Sequence, residues 1–428
     1  MSVLKVILAG VLWLRGSPRF IARLVTVKAA RVLLSKLAPA VAPAPGPRQL
    51  LTDVSVIARC DAGTGIQRVV RELLQQLIAH PPPGYIVRPV YATLWRGYRY
   101  ANQYYSTLME REPDIATTGR VVVRAGDIFL GMDLAAHTLS RYPILLGRWK
   151  ASGVRFFFIV YDLLPALRPD WFTASAVRAY SNWIRTVAIF ADGAICISRS
   201  VADQLKQWLT VTYGKTVSES ISATWFRLSG EISTTASSRD SSEKIRDLLK
   251  RLGKRPSILM VGTVEPRKNY TQALSAFERL WREGRDVNLV IVGGAGWKVE
   301  ELILRLRGHP EAGNRLFWFK DATDEMLCAL YGAADGLLMA SEGEGFGLPI
   351  AEAARHGKPI LARDIPVFRE VAGTHAQYFA GDTPDKFAKE ISSWLDLVRT
   401  GRAPTSRGIE QLGWRDSAQQ LIHCILSK

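Results

Sequence analysis

The sequence predicts an α/β protein of two domains, each a parallel sheet covered by helices, preceded by a basic helical extension. Three observations carry this. Short apolar runs alternate with longer stretches at helical spacing from residue 49 onward. Glycine-rich turns follow several of those runs, at 63–65, 262, 293–296 and 343–347. A Ser/Thr-rich stretch at 229–240 interrupts the alternation, and 428 residues exceed the ordinary size of one domain. The predicted segments are an extension over 1–48, a first domain over 49–230, a linker and leading helix over 231–254, a second domain over 255–400 and a last helix over 401–428.

The net charge of +17 attracts nucleic acid, anionic lipid and phosphorylated substrates alike. Its distribution is more telling. Residues 1–52 hold eight Lys or Arg and no acid, interleaved with apolar residues such as Ile7, Leu12, Trp13, Phe20 and Leu24. Such a segment is a candidate for lying on an anionic membrane face, the alternative being a helix packed on the protein itself. The Pro-rich 39–47 would then act as a stiff linker. No run reaches the about 20 apolar residues of a bilayer span, and 6–14 lacks a cleavage site, so no signal peptide is expected. Cys60, Cys196, Cys328 and Cys424 are far apart and suggest neither zinc nor disulfides, which fits a reducing compartment.

In the first domain, 50–55 reads as a strand and 61–65, Asp-Ala-Gly-Thr-Gly, as a loop opening a helix. That helix has apolar positions 66, 69, 70, 73, 74 and 77 on one face. The loop lacks the Lys-Ser ending of a P-loop. Residues 85–91 alternate like a strand, whereas 92–120, rich in Tyr, Arg and Trp, predicts a long loop or short helices. Further strands are expected at 121–123, 127–130 and 154–160, with a helix over 134–151. The run at 154–160 leads into Tyr161-Asp162-Leu163-Leu164-Pro165. That lies beyond a strand's carboxyl end, where ligands collect in open α/β sheets. Helices over 171–190 and 199–209 bracket a strand at 193–198, which ends at Ser198.

In the second domain a charged helix over 241–252 leads to a strand at 257–261. Next comes Gly262-Thr263-Val264-Glu265-Pro266-Arg267-Lys268-Asn269, then a helix over 270–282. Two cations beside a helix start suit a diphosphate, whose charge they neutralise. Strands follow at 288–292, ending in Gly293, and at 316–319, ending in the turn that holds Asp321; a helix covers 324–333. The buried run 335–340 enters Ser341-Glu342-Gly343-Glu344-Gly345-Phe346-Gly347-Leu348-Pro349, with Pro349 opening a helix that carries Glu352. Glycines there leave room for a ligand, and the helix start favours an anion. A strand at 359–362 and helices near 383–398 and 414–426 close the chain.

Glu344-x7-Glu352 within Glu-Gly-Phe-Gly-Leu-Pro resembles the nucleotide-sugar site of retaining GT-B glycosyltransferases of group 1, or GT4. The wording at 262–269 is similar to the same family. The likeness is specific over 255–375, looser over 50–230, and does not cover 1–48. It implies the GT-B fold, two Rossmann-like domains facing a cleft, with the last helix crossing back to the first. It also implies that Glu344 holds donor-sugar hydroxyls, Glu352 the nucleotide ribose and Lys268 the diphosphate. Many members carry an arginine where this chain has Thr263, and Arg267 is expected to replace it. Gly63, Gly65, Gly262, Gly293, Gly345, Phe346, Gly347 and Leu348 complete the donor-binding set by position. Asp321 lies in the nucleobase-reading turn and Ser198 at a donor-facing strand end. Tyr161 stands where the family has a histidine that contacts the sugar, and Asp162 is read either as an acceptor contact or as a loop cap.

The resemblance implies transfer of a hexose from a nucleoside diphosphate to an acceptor hydroxyl with retention. The leaving phosphate takes the acceptor's proton, and the catalytic set is Glu344, Lys268, Arg267 and Asp162. No Asp-x-Asp and no His/Cys cluster with ligand spacing occurs, so no metal or other cofactor is expected. Tyr-Asp-Leu-Leu-Pro and Ala-Arg-Asp-Ile-Pro look most like bacterial mannosyltransferases of surface-polysaccharide assembly. GDP-mannose is therefore the first donor, with GDP-rhamnose or a UDP-hexose behind it. A glycan or lipid-linked glycan acceptor follows, reached from the cytoplasm at the inner face of a bacterial membrane. Two rivals stay open: a catalytically silent GT-B-shaped partner of another transferase, and a basic nucleic-acid binder, although no nucleic-acid motif is present.

Overall fold

The computed structural model describes residues 20–35, 47–93, 96–113, 119–233 and 239–427. Two compact units divide the chain. One comprises Met1–Pro169, Ala174–Arg227 and Trp414–Lys428; the other comprises Asp170–Thr173 and Leu228–Gly413. Of the extension over 1–48 expected to face a membrane, residues 1–19 and 36–46, which hold most of the Pro-rich linker, lie outside the described residues.

The first unit is built on seven strands: β1 (Arg48–Asp53), β2 (Tyr85–Ala92), β3 (Tyr98–Tyr100), β4 (Ile128–Gly131), β5 (Arg155–Val160), β6 (Gly193–Cys196) and β7 (Ser222–Trp225). Their order is β3-β2-β1-β4-β5-β6-β7, and only the β2–β3 pair is antiparallel. Chain order reverses between β1 and β4, which makes the carboxyl ends of these two strands the switch point of the sheet. Helix Gly65–Ala79 begins there, fixed by a capping box in which Thr64 accepts from Gln67 N–H. Helix Trp414–Leu426 packs on Gly65–Ala79, β6 and β7.

Helix Phe20–Ser35 belongs to the same core. Val27, Ala30 and Leu34 are buried against helices Ala174–Phe190 and Arg199–Tyr213. Arg31 donates to the carbonyls of Ala188, Ala191 and Ser220 at 3.1, 3.0 and 2.8 Å, capping the end of helix Ala174–Phe190. This part of the basic extension is thus a helix packed on the protein itself. Among the described residues, no helix is long and apolar enough to cross a membrane.

Three expectations differ. Residues 98–100, expected within a long loop or short helices over 92–120, form β3, paired antiparallel to β2. Residues 121–123 form no strand: Val122 is 67% exposed, and its carbonyl accepts from the Gln49 side chain at 2.9 Å instead of a neighbouring backbone. The helix expected over 134–151 is split into a 3-10 turn, Leu139–Arg141, and a helix, Pro143–Ala151. Pro143 has no N–H to continue the earlier turn and starts a new helix instead.

The second unit has six parallel strands: β8 (Ser257–Val261), β9 (Asn288–Val292), β10 (Leu316–Phe319), β11 (Gly336–Met339), β12 (Ile360–Arg363) and β13 (Gln377–Phe379). The order β10-β9-β8-β11-β12-β13 is that of the doubly wound dinucleotide fold, with the switch point between β8 and β11. Helix Tyr270–Arg282 covers the sheet with Ala273, Leu274, Phe277, Leu280 and Trp281, at three- and four-residue spacing.

At the first switch point two carboxylates pin the turn after β1. Asp53, 1% exposed, accepts from Ser55 N–H at 3.0 Å, from the Ser55 hydroxyl, and from Tyr98 O–H at 2.8 Å. Asp133 accepts from the N–H groups of Val56 and Ile57 at 2.7 and 2.8 Å. Burial pushes the Asp53 carboxyl up to about 7; the hydrogen bonds from Ser55 and Tyr98 oppose this, and the nearby Asp133 adds to it. The folded state therefore holds this proton more tightly than the unfolded chain does, so stability falls as pH rises from 3.8 to about 7. D53N is expected to raise Tm at pH 8 more than at pH 5, by about 2–4 °C for each kcal/mol regained. Equal shifts at both pH values, measured by calorimetry, count against a titrating Asp53.

Candidate active site

The loops after β8 and β11 meet at the second unit's switch point. Arg267 and Lys268 come from the first loop, in the short 3-10 turn Pro266–Lys268, and Glu344 comes from the second. Lys268 Nζ donates to Glu344 Oε1 and Arg267 Nη1 to Glu344 Oε2, both at 2.5 Å. Arg267 Nη1 also reaches the Gly343 carbonyl at 3.0 Å, and Nη2 pairs with Glu265 Oε1 at 2.6 Å. The backbones are joined as well, Glu342 N–H donating to the Arg267 carbonyl at 2.8 Å.

These are buried charges. The Glu344 side chain is 7% exposed and that of Lys268 10%. Burial alone pushes the Glu344 carboxyl up, but the Arg267 and Lys268 charges and their hydrogen bonds outweigh it and bring it down to about 2. The site thus holds two fixed cations and a carboxylate that stays ionised in any ordinary buffer.

Glycines let these loops close on one another. At Gly293 a side chain would lie 2.2 Å from the Gly262 carbonyl oxygen, and at Gly262 it would lie 3.1 Å from Lys268 Nζ. Gly347, at φ +94°, caps helix Leu348–Arg355, and a Cβ there would meet Phe368 at 2.9 Å. The helix start and the Arg267–Lys268 pair together suit a phosphate-bearing ligand.

Residues 241–409 match the family of glycosyl transferases group 1. This chain carries a group 1 glycosyltransferase domain. It is 40% identical over 382 residues to the serotype-specific mannosyltransferase WbdA of Escherichia coli, an alignment that covers 88% of this chain and 46% of that protein. The chain therefore spans about half the length of this curated relative. Among solved structures, Anabaena Alr3699/HepE in complex with UDP-glucose aligns with TM-score 0.56 and 17% identity, covering 88% of this chain and 94% of that one. The catalytic domain of starch synthase IV from Arabidopsis thaliana, bound to ADP and acarbose, aligns at 0.57 and 13% over 89% and 98%. Likeness at these identities is one of fold, and the fold is GT-B.

Within the group 1 domain, Gly345 and Phe346 are buried beside Glu344, and Leu348 is the first residue of the helix. Glu352, 3% exposed, accepts from Tyr331 O–H at 2.6 Å. Thr263 is half-buried next to Gly262, and Asp321 is exposed in the turn after β10. The first unit holds the other candidates. Gly63 and Gly65 flank the cap Thr64 and are exposed. Tyr161 is buried and its hydroxyl donates to the Met132 carbonyl at 2.7 Å. Asp162 Oδ1 accepts from Leu164 N–H at 3.0 Å, a local turn cap. Ser198 is fully buried and caps helix Arg199–Tyr213 through Val201 N–H.

Sequence reasoning missed Glu265, Tyr270, Tyr331 and Arg363. Tyr270 O–H holds the Gly262 carbonyl at 2.7 Å, and Arg363 Nε holds that of Ala340 at 2.9 Å. Glu265 and Tyr270 were within reach of the motif at 262–269 and Arg363 stands within Ala-Arg-Asp-Ile-Pro, whereas Tyr331 lies in a helix that no motif marks. Among the described residues no group of three or more His, Cys, Asp or Glu is placed to hold a metal ion.

A depressed carboxylate contributes stability above its unfolded pKa that is lost as pH falls through its folded one. From 4.5 to about 2 this amounts to about 3 kcal/mol for Glu344. Denaturant unfolding of the full chain is expected to lose most of this increment as pH falls from about 5 to about 2, and E344Q to lose it less. K268A is expected to cost about 3 kcal/mol at pH 7, because the buried carboxylate keeps one cation only.

Proposed function

We propose that this chain is a retaining mannosyltransferase that moves mannose from GDP-mannose to a growing polysaccharide or lipid-linked glycan. The observation that carries the reading is the meeting of Glu344 with Arg267 and Lys268 at the switch point of a group 1 domain. The kinship with the mannosyltransferase WbdA supports mannose as the sugar. The sugar's C1–oxygen bond to phosphate breaks, and the bond to the acceptor oxygen forms on the same face. The acceptor's proton passes to the departing phosphate oxygen, so no protein nucleophile is required. Lys268 and Arg267 stabilise the negative charge that grows on the diphosphate, and Glu344 orients the sugar through its hydroxyls. These cations supply the charge stabilisation a metal gives elsewhere, so the reading calls for no metal. Glu352 holds the ribose, and Asp162 lies on the acceptor's side of the reaction. The protein works in the cytoplasm at the inner face of a bacterial membrane, and the surplus of basic residues at 1–52 supports contact with it.

Two measurements test this. In a thermal-shift panel GDP-mannose is expected to protect most, by about 2.7 kcal/mol at a hundred times its Kd; a larger shift with UDP-glucose or GDP-rhamnose would reassign the donor. NMR of the product is expected to show an α-mannosyl linkage, and E344A to lower transfer by about a hundred-fold or more with the fold intact. Wild-type activity in E344A, or inversion at C1, refutes the mechanism.

A further inference from the structure

The two carboxylates around Arg267 differ in kind. Glu344 bridges Arg267 and Lys268 from the loop after β11, giving one oxygen to each cation at 2.5 Å. Glu265 stands two residues before Arg267 on the loop after β8, is 3% exposed, and meets Nη2, the side of the guanidinium turned away from that bridge.

The backbone around Glu265 is fixed. Val264 N–H donates to the Gly294 carbonyl at 2.8 Å, Gly296 N–H to the Val264 carbonyl at 2.9 Å and Lys268 N–H to the Glu265 carbonyl at 3.1 Å. A Cβ on Gly296 would lie 3.2 Å from Glu265 Cβ, so the neighbouring loop packs directly against this residue.

Counted as ionised, the four side chains sum to zero. A nucleoside diphosphate ester brings about two negative charges, and Lys268 Nζ and both terminal nitrogens of Arg267 already meet a carboxylate. One carboxylate has to give way, and Glu344 is the one held chiefly by the cations themselves. Once it turns aside, the Gly343 carbonyl and Glu265 still hold Arg267, and of these only Glu265 is charged.

We propose that Glu265 is a positioning residue for sugar transfer: it keeps Arg267 aimed while the donor's diphosphate takes the place of Glu344 between Arg267 and Lys268, and Glu344 turns to the sugar. This rests on the nucleotide-sugar reading above. Diphosphate binding and the grip on the sugar are then one event, because the group that releases the cations is the group the sugar needs.

The test uses the full chain. E344Q is expected to bind GDP, measured by calorimetry, about five-fold more tightly than wild type, since no ion pair has to be broken. E265Q keeps an oxygen for Nη2 but removes its charge. Its kcat is expected to fall about ten-fold while donor KM is unchanged or lower, the signature of an interaction needed in the transition state rather than in binding. E265D, which retains the charge but draws it back by one methylene, should fall between the two, and it serves if E265Q does not fold. A kcat for E265Q within two-fold of wild type overturns the proposal. So does a fall in kcat that comes with raised KM and lowered Tm, which marks a structural role only. If wild type binds neither GDP nor UDP, the nucleotide-sugar reading itself fails and takes this inference with it; if wild type binds GDP but E344Q binds it no better, the displacement step alone is wrong.

Discussion

A buried carboxylate shared by a guanidinium and an ammonium is the interaction on which the second unit's site depends. Removing any of these charges from water costs several kcal/mol, and mutual attraction recovers it only when the geometry is close and the hydrogen bonds are made. At 2.5 Å to each cation Glu344 meets that condition. The pair is also what ties the loops after β8 and β11 together, with the backbone bond from Glu342 to Arg267 beside it. Sheet order brings the loops side by side at the carboxyl ends of the two central strands, glycines let them close, and charge holds them there. Any anion that binds must compete with a ligand the protein already supplies. That favours an anion of higher charge, held by several donors at once.

Much of this was legible in the sequence, for identifiable reasons. Helices Tyr270–Arg282 and Asp324–Ala333 fall on their predicted residues because each has a buried face of helical period, started by Asn269 or the capping Thr323, and strand β9 does so because it is an unbroken buried run that ends at Gly293. The edge strands β7 and β13 escaped notice. Ser-Ala-Thr-Trp is half-buried throughout and Gln-Tyr-Phe mostly so, which leaves too little apolar signal over three or four residues. Helix Pro366–Ala372 was missed for the same shortness. Pro143 was read through as part of one helix, although its ring marks a fresh start.

The site was legible as residue types and not as pairings. The motif at 262–269 presents Glu265, Arg267 and Lys268 in a row, yet adjacency does not tell which acid meets which base. Only the fold brings Glu344, 77 positions after Arg267, to its other side. The first unit teaches the opposite lesson. Tyr161, Asp162 and Ser198 lie at carboxyl ends of strands, where ligands collect in such sheets, and each also serves the fold there: Tyr161 O–H donates to Met132, Asp162 Oδ1 accepts from Leu164 and Ser198 Oγ accepts from Val201. Strand ends need caps as much as they need ligands, and a sequence does not separate the two uses.

The two switch points solve the same problem with opposite electrostatics. Each turn that leaves the central strands is anchored by a buried carboxylate. At Asp53 the donors are a hydroxyl, a phenol and an amide, all neutral, and burial wins: the group is pushed up to about 7. At Glu344 two of the donors are cations, and the carboxyl sits near 2. The turn after β1 therefore gains or loses a charge near neutrality, whereas the joint between the loops after β8 and β11 keeps its charge in any buffer the protein tolerates. An anion-handling site benefits from the second arrangement, since its affinity then follows the ligand's protonation and not its own. The first arrangement leaves the anchoring of the turn that leads to Gly63 and Gly65 sensitive to pH, and the source of that sensitivity is the lack of a cation beside Asp53, not any property of the carboxyl itself.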